Sequence, residues 1–123
     1  MKKTTIICVL GFAAVVLVGL TAAAAGDHAY VGAEKCKMCH KVQYNSWLET
    51  THAKATDAAK GSTDPAFEAA CLGCHATNSD EALAGVQCEA CHGPGADFKK
   101  MSIMKDRDAA VANGLVIPTQ ATC

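Results

Sequence analysis

Large apolar side chains are scarce in this chain of 123 residues. Past the first 25 positions its aromatics are Tyr30, Tyr44, Trp47, Phe67 and Phe98, its alanines are many, and its leucines and isoleucines are few. A domain of this length normally needs more apolar bulk, or a staple, to hold together. A core built from side chains alone is therefore excluded, and something else must fill the centre. A surplus of positive charge is missing too. With residues 1–25 set aside, nine Lys/Arg face twelve Asp/Glu in the remaining 98, which argues against nucleic acid as a partner. Strand-like alternation is weak throughout.

What is present begins with a short basic opening, Met1-Lys2-Lys3, then an apolar run from Ile6 to Leu20, then Thr21-Ala22-Ala23-Ala24-Ala25-Gly26. Basic, apolar and small segments in that order predict a secretory signal peptide over 1–25, cut after Ala25 or Ala24. The run is short for a membrane span and no charged stop-transfer segment follows it. No stable span is expected after cleavage; an uncleaved anchor is the competing reading. Residues 26–123 are then one exported domain, periplasmic or extracellular, and Cys8 leaves with the signal.

The other cysteines stand at 36, 39, 71, 74, 88, 91 and 123, their leading members 35, 17 and 35 residues apart. Three times the pattern is Cys-x-x-Cys-His: Cys36-Lys37-Met38-Cys39-His40, Cys71-Leu72-Gly73-Cys74-His75 and Cys88-Glu89-Ala90-Cys91-His92. This is the attachment motif of c-type haem. Residues three apart share a helix face, so both thiols reach one edge of a porphyrin. The histidine that follows offers its imidazole to the iron. Structural zinc, a redox dithiol and disulfides also use paired cysteines, but none needs a histidine after every second one. Three covalently bound haems c are expected, and they supply the missing core.

The fold expected is mainly α, with short helices and loops wrapped around stacked haems. Apolar and ligand-type residues recur at three and four residue steps over 34–56, which predicts one helix there. Pro65 is placed to start a short helix through Ala70. Short helices are expected at Cys71–His75 and at Cys88–His92, the latter stopped by Gly93-Pro94-Gly95. Thr77–Asp80 reads as loop, and 104–113 as a helix closed by Asn113-Gly114.

The sixth iron position separates electron transfer from ligand binding or catalysis. Five histidines exist. With His40, His75 and His92 as proximal ligands, His52 and His28 remain as candidates. On a continuous helix His52 would lie about 18 Å beyond His40 along the axis, too far to share its iron, so it is assigned to another haem. His28, in Gly26-Asp27-His28-Ala29-Tyr30, is read either as a ligand or as a solvated residue beside the cleavage site.

The stretch Glu34-Lys35-Cys36-Lys37-Met38-Cys39-His40-Lys41, with Ser46-Trp47 and Thr51-His52-Ala53-Lys54-Ala55, resembles the tetrahaem cytochrome c-554 family. So does Gly85-Val86-Gln87-Cys88-Glu89-Ala90-Cys91-His92-Gly93-Pro94-Gly95 with Phe98. The resemblance implies an electron carrier with stacked haem pairs, and it implies that His52 crosses to the haem on Cys88/Cys91. It also implies an open second haem, the one on Cys71/Cys74. The family has a histidine shortly after its Gly-Pro-Gly segment, as ligand of the first haem. Here Phe98-Lys99-Lys100-Met101-Ser102-Ile103-Met104 has none, which leaves His28, Met101 or Met104 for that role, with apolar packing as the competing reading of the two methionines. Cys123 stands where a fourth motif would begin, and is read either as the start of a fourth haem site in a longer chain or as a free thiol.

The function expected is electron transfer between redox partner proteins, without catalytic side chains. Two rival readings are a small reductase using an open haem, and a homo-oligomer, the subunit of a conducting filament.

Overall fold

The computed structural model describes residues 28–122. The signal peptide expected over 1–25 and Cys123 lie outside them. Among the described residues the regular structure is helical, in seven short α-helices. These are α1 (Ala33–Lys37), α2 (Lys41–Leu48), α3 (Ala55–Lys60), α4 (Leu72–His75), α5 (Cys88–His92), α6 (Met101–Met104) and α7 (Arg107–Ala112). Single 3-10 turns stand at Ala69–Cys71, Thr77–Ser79, Glu81–Leu83 and Gln120–Thr122. Extended pairing among these residues is confined to isolated bridges, two of which join Ala76 to Ala84 and Gly85. The mainly α expectation holds.

The single helix expected over 34–56 is broken twice. His40, at φ −111 and ψ 44, is not helical, so α1 and α2 are separate. After Leu48 the Thr50 hydroxyl donates to the Trp47 carbonyl at 2.7 Å. A local bond of this kind competes with the helix ladder, and residues 49–54 form turns before α3 begins. The helix expected from Pro65 to Ala70 is also absent. Thr63 bridges to Ala66 and the Ser62 hydroxyl donates to the Pro65 carbonyl at 2.8 Å, which closes a turn instead.

Elements set by local chemistry match closely. α5 begins at Cys88 after the extended residue Gln87 and ends at Gly93, whose φ is 79. A Cβ on Gly93 would meet the Gly114 carbonyl oxygen at 2.9 Å, so the stop also needs the bare backbone. α7 starts where the Asp106 carboxylate accepts the N–H groups of Asp108 and Ala109, an N-cap. It covers 107–112 of the expected 104–113 and closes at Asn113.

The buried apolar side chains are Ala33, Tyr44, Ala59, Leu72, Ala76, Phe98 and Ala110. Four of the seven are alanines, so the protein's own apolar contribution to the interior is small. Polar contacts do much of the joining. α1 packs on α2 and α5, α3 on α4, and α6 on α7.

Candidate haem-binding sites

The second and third motifs are built alike. Cys71 and Cys74 flank a helical turn that ends at His75, and Cys88 and Cys91 one that ends at His92. His75 Nδ1 lies 3.0 Å from the Ala55 carbonyl and His92 Nδ1 lies 3.2 Å from the Val116 carbonyl. A carbonyl accepts, so each Nδ1 carries the proton and each Nε2 is left with a lone pair for a metal. His40 is exposed at the junction of α1 and α2, directly after Cys39. The six cysteines of the three motifs are free thiols.

The surroundings of these motifs suit a flat apolar group. A cavity of about 510 Å³ opens between the second and third motifs, with Cys74, His75, Ala90 and Cys91 on its wall. A smaller one of about 280 Å³ lies on another side of Cys71 and His75. Ala55, Ala58 and Ala59 of α3 supply walls of these two cavities. Alanine leaves the helix surface bare, so a planar macrocycle can lie against it. The larger volume falls in the range of small-molecule and cofactor sites. Among the described residues no three His, Cys, Asp or Glu side chains converge to hold a metal ion by themselves.

His52 lines the larger cavity together with Cys74, His75 and Cys91. It sits on a turn, not on a helix continuous with His40, so the separation along a helix axis drops out of the reasoning. Its place beside Cys91 rests instead on tertiary bonds. Val86 N–H donates to the His52 carbonyl at 2.9 Å, and Trp47 Nε1–H donates to the Val86 carbonyl at 2.8 Å. Gly85, at φ +82, passes so close that a Cβ would meet the Ala53 carbonyl oxygen at 2.8 Å. The histidine turn is thereby clasped to the residues that lead into Cys88.

His28 is tied down: its Nδ1 lies 2.7 Å from Asp97 Oδ2, and its ring covers Gly114. The carboxylate holds the proton on Nδ1 and leaves Nε2 as the basic nitrogen. Met101 is largely exposed and Met104 half-buried.

Three buried polar residues, Thr56, Thr77 and Glu89, were not legible as site residues in the sequence. The Thr56 hydroxyl donates to the His75 carbonyl and accepts Gly85 N–H. The Thr77 hydroxyl donates to the Gly85 carbonyl at 2.9 Å and accepts Gln87 N–H at 2.8 Å. The two threonines thus join the end of the second motif to the start of the third. Glu89, 2% exposed, accepts the N–H groups of Val31, Gly32 and Gly95. Beside it, Gln87 Oε1 accepts Ala33 N–H at 2.6 Å. The third motif therefore holds the residues that lead into the first.

The leading cysteines of these two motifs also lie near each other. As thiols the two act on each other: the neighbouring Cys88 thiol pushes Cys36 up, and the neighbouring Cys36 thiol holds Cys88 down at about 7. Thioether formation removes both protons and leaves the proximity.

Repeated cysteine pairs on helical turns, each followed by a histidine, beside cavities walled by alanine, define a c-type cytochrome that binds haem c covalently. Residues 35–93 match the family described as Cytochrome c554 and c-prime. The chain is 34% identical over 122 aligned residues to cytochrome c-554 of Nitrosomonas europaea, covering 79% of this chain and 52% of that protein. It thus spans about half the length of this curated relative. No solved structure matches. Over the matched residues the chain belongs to the cytochrome c-554 family. Among the described residues no helix is long and apolar enough to cross a membrane.

Proposed function

We propose that this protein is an exported electron relay with three haems c, attached at Cys36/Cys39, Cys71/Cys74 and Cys88/Cys91. His40, His75 and His92 are the proximal iron ligands, and His52 is the second ligand of the haem on Cys88/Cys91. Haem c, when bound, supplies a one-electron ferric/ferrous couple. The chain's own part is to hold the histidines and to keep the three sites close together. The observation that carries this reading is the pair of imidazoles, His75 and His92, whose Nδ1 atoms are committed to backbone carbonyls directly after paired cysteines. Contacts between the motifs support the relay. Cys36 and Cys88 lie near enough to act on each other's protonation, and one cavity spans Cys74 and Cys91.

Residues 1–25 act as the signal peptide and deliver residues 26–123 to the periplasm or beyond, where redox proteins give and take the electrons. The test is a pyridine haemochrome assay with intact mass on protein from a host that has cytochrome c assembly machinery. The expected product lacks residues 1–25 and carries three haems per chain that acidic organic solvent does not extract. Bound zinc, or haem that washes out, overturns the proposal.

A further inference from the structure

Two histidines are held in the same way by unrelated parts of the chain. His75 and His92 are the last residues of α4 and α5, and the final carbonyls of a helix have no partner inside it. Both carbonyls are met from the same place that meets the ring. Val116 serves His92 twice: its N–H donates to the His92 carbonyl at 2.8 Å, and its own carbonyl lies 3.2 Å from His92 Nδ1. For His75 the two roles fall to consecutive residues at the start of α3. The Ala55 carbonyl lies 3.0 Å from His75 Nδ1, and the Thr56 hydroxyl donates to the His75 carbonyl. Each imidazole is thus fixed at its main chain and at its ring together.

The two clamps differ in one respect. At His92 both partners are main-chain atoms, whereas at His75 the donor is a side chain. Thr56 is 2% exposed, so water has little access to take its place. A hydroxyl has one proton to give. Gly85 N–H donates to Thr56 Oγ1 at 2.7 Å, which directs that proton to the His75 carbonyl. Gly85 is itself fixed, since its carbonyl accepts the Thr77 hydroxyl at 2.9 Å and the next N–H, that of Val86, donates to the His52 carbonyl.

We propose that Thr56 is a positioning residue for His75, and that through the Nδ1–H bond to Ala55 it sets the potential of the haem on Cys71/Cys74. The proposal rests on the reading of His75 as that haem's proximal ligand. A hydrogen bond from the outer ring nitrogen raises the basicity of the ligating one, and axial ligation is a main lever on potential. Loss of the hydroxyl frees the His75 main chain, loosens the bond from its ring to Ala55 and makes Nε2 a weaker donor. A weaker donor favours the ferrous state, so the potential rises.

The test is a potentiometric titration of the haem-loaded full chain, with optical and electron paramagnetic resonance spectra taken at each potential. Thr56→Val keeps the volume and removes the hydroxyl. It is expected to raise the potential of one haem while covalent haem content stays at the parent level. Thr56→Ser keeps the hydroxyl and the parent potential. Thr56→Ala shifts the same potential in the same direction and stands in if the valine variant fails to fold. Thr77→Val separates positioning from stability. It strands the Gly85 carbonyl and the Gln87 N–H but removes no bond to His75, so it destabilises the protein and leaves that potential in place. Unchanged potentials in Thr56→Val and Thr56→Ala overturn the proposal, as does an equal shift in Thr56→Ser or Thr77→Val. Peptide mass on Cys71–His75 reports separately on haem. Its absence overturns the haem reading, whereas full loading with unchanged potentials overturns the role of Thr56 alone.

Discussion

The carbonyl oxygen of His52 accepts the Val86 N–H at 2.9 Å, which fixes the turn bearing His52 two residues before Cys88. The family resemblance implies that His52 serves the haem on Cys88/Cys91, and this bond keeps its turn next to the segment that leads into that motif. His52→Ala is expected to leave covalent haem content unchanged, because attachment depends on the cysteines. One haem converts from low-spin to high-spin, and its potential shifts, since axial ligation is a main lever on iron. Optical and electron paramagnetic resonance spectra check this, and an unchanged spectrum makes His52 a surface residue.

Thr77 is fully buried, and its hydroxyl holds both the Gly85 carbonyl and the Gln87 N–H. Thr77→Val keeps the volume and strands both groups. A buried unsatisfied group costs about 1–3 kcal/mol, so the variant is expected to lose on the order of 2 kcal/mol in denaturant unfolding of the haem-loaded protein. Thr77→Ser, which keeps the hydroxyl, is expected to lose less.

Glu89 is the larger case. Its carboxylate serves the N–H groups of Val31, Gly32 and Gly95, and its charge acts on both Cys36 and Cys88. Glu89→Ala is expected to destabilise the folded protein by about 3 kcal/mol or more, as several N–H groups lose a charged acceptor. Glu89→Gln is milder in stability. By removing a negative charge near two attachment sites it moves the potentials of those haems upward, measurable by spectroelectrochemistry.

These residues mark where the sequence was and was not legible. The helix α5 and its glycine stop could be read because a few adjacent residues determine them. The break at His40 and the turns after Leu48 could not, since the apolar spacing runs on through both. Glu89 looked like a variable position inside Cys-x-x-Cys, because its partners Val31 and Gly32 are 58 and 57 residues away. Asp97 was hidden likewise, 69 residues from His28. The alanines of α3 could be read as poor core formers, but only the fold makes them cavity walls.

Three bis-histidine haems need six axial imidazoles, and the chain has five histidines. Even with His28 and His52 both bound, one iron lacks a histidine from these residues. Electron paramagnetic resonance on the oxidised protein, at a dilution where no oligomer survives, is expected to show a high-spin signal, assigned to the haem on Cys71/Cys74. Three low-spin bis-histidine haems with no high-spin signal refute both the count and the assignment.

The grip of Gln87 and Glu89 on residues 31–33 also has a bearing on the order of events during synthesis. A chain delivered N-terminus first presents Cys36 and Cys39 long before residues 87–95 emerge. Until they do, the N–H groups of Val31, Gly32 and Ala33 have only water as acceptor. The first pair of thiols is thus offered to the attachment machinery on an unanchored stretch, and closure of this long loop belongs to the last stage of folding.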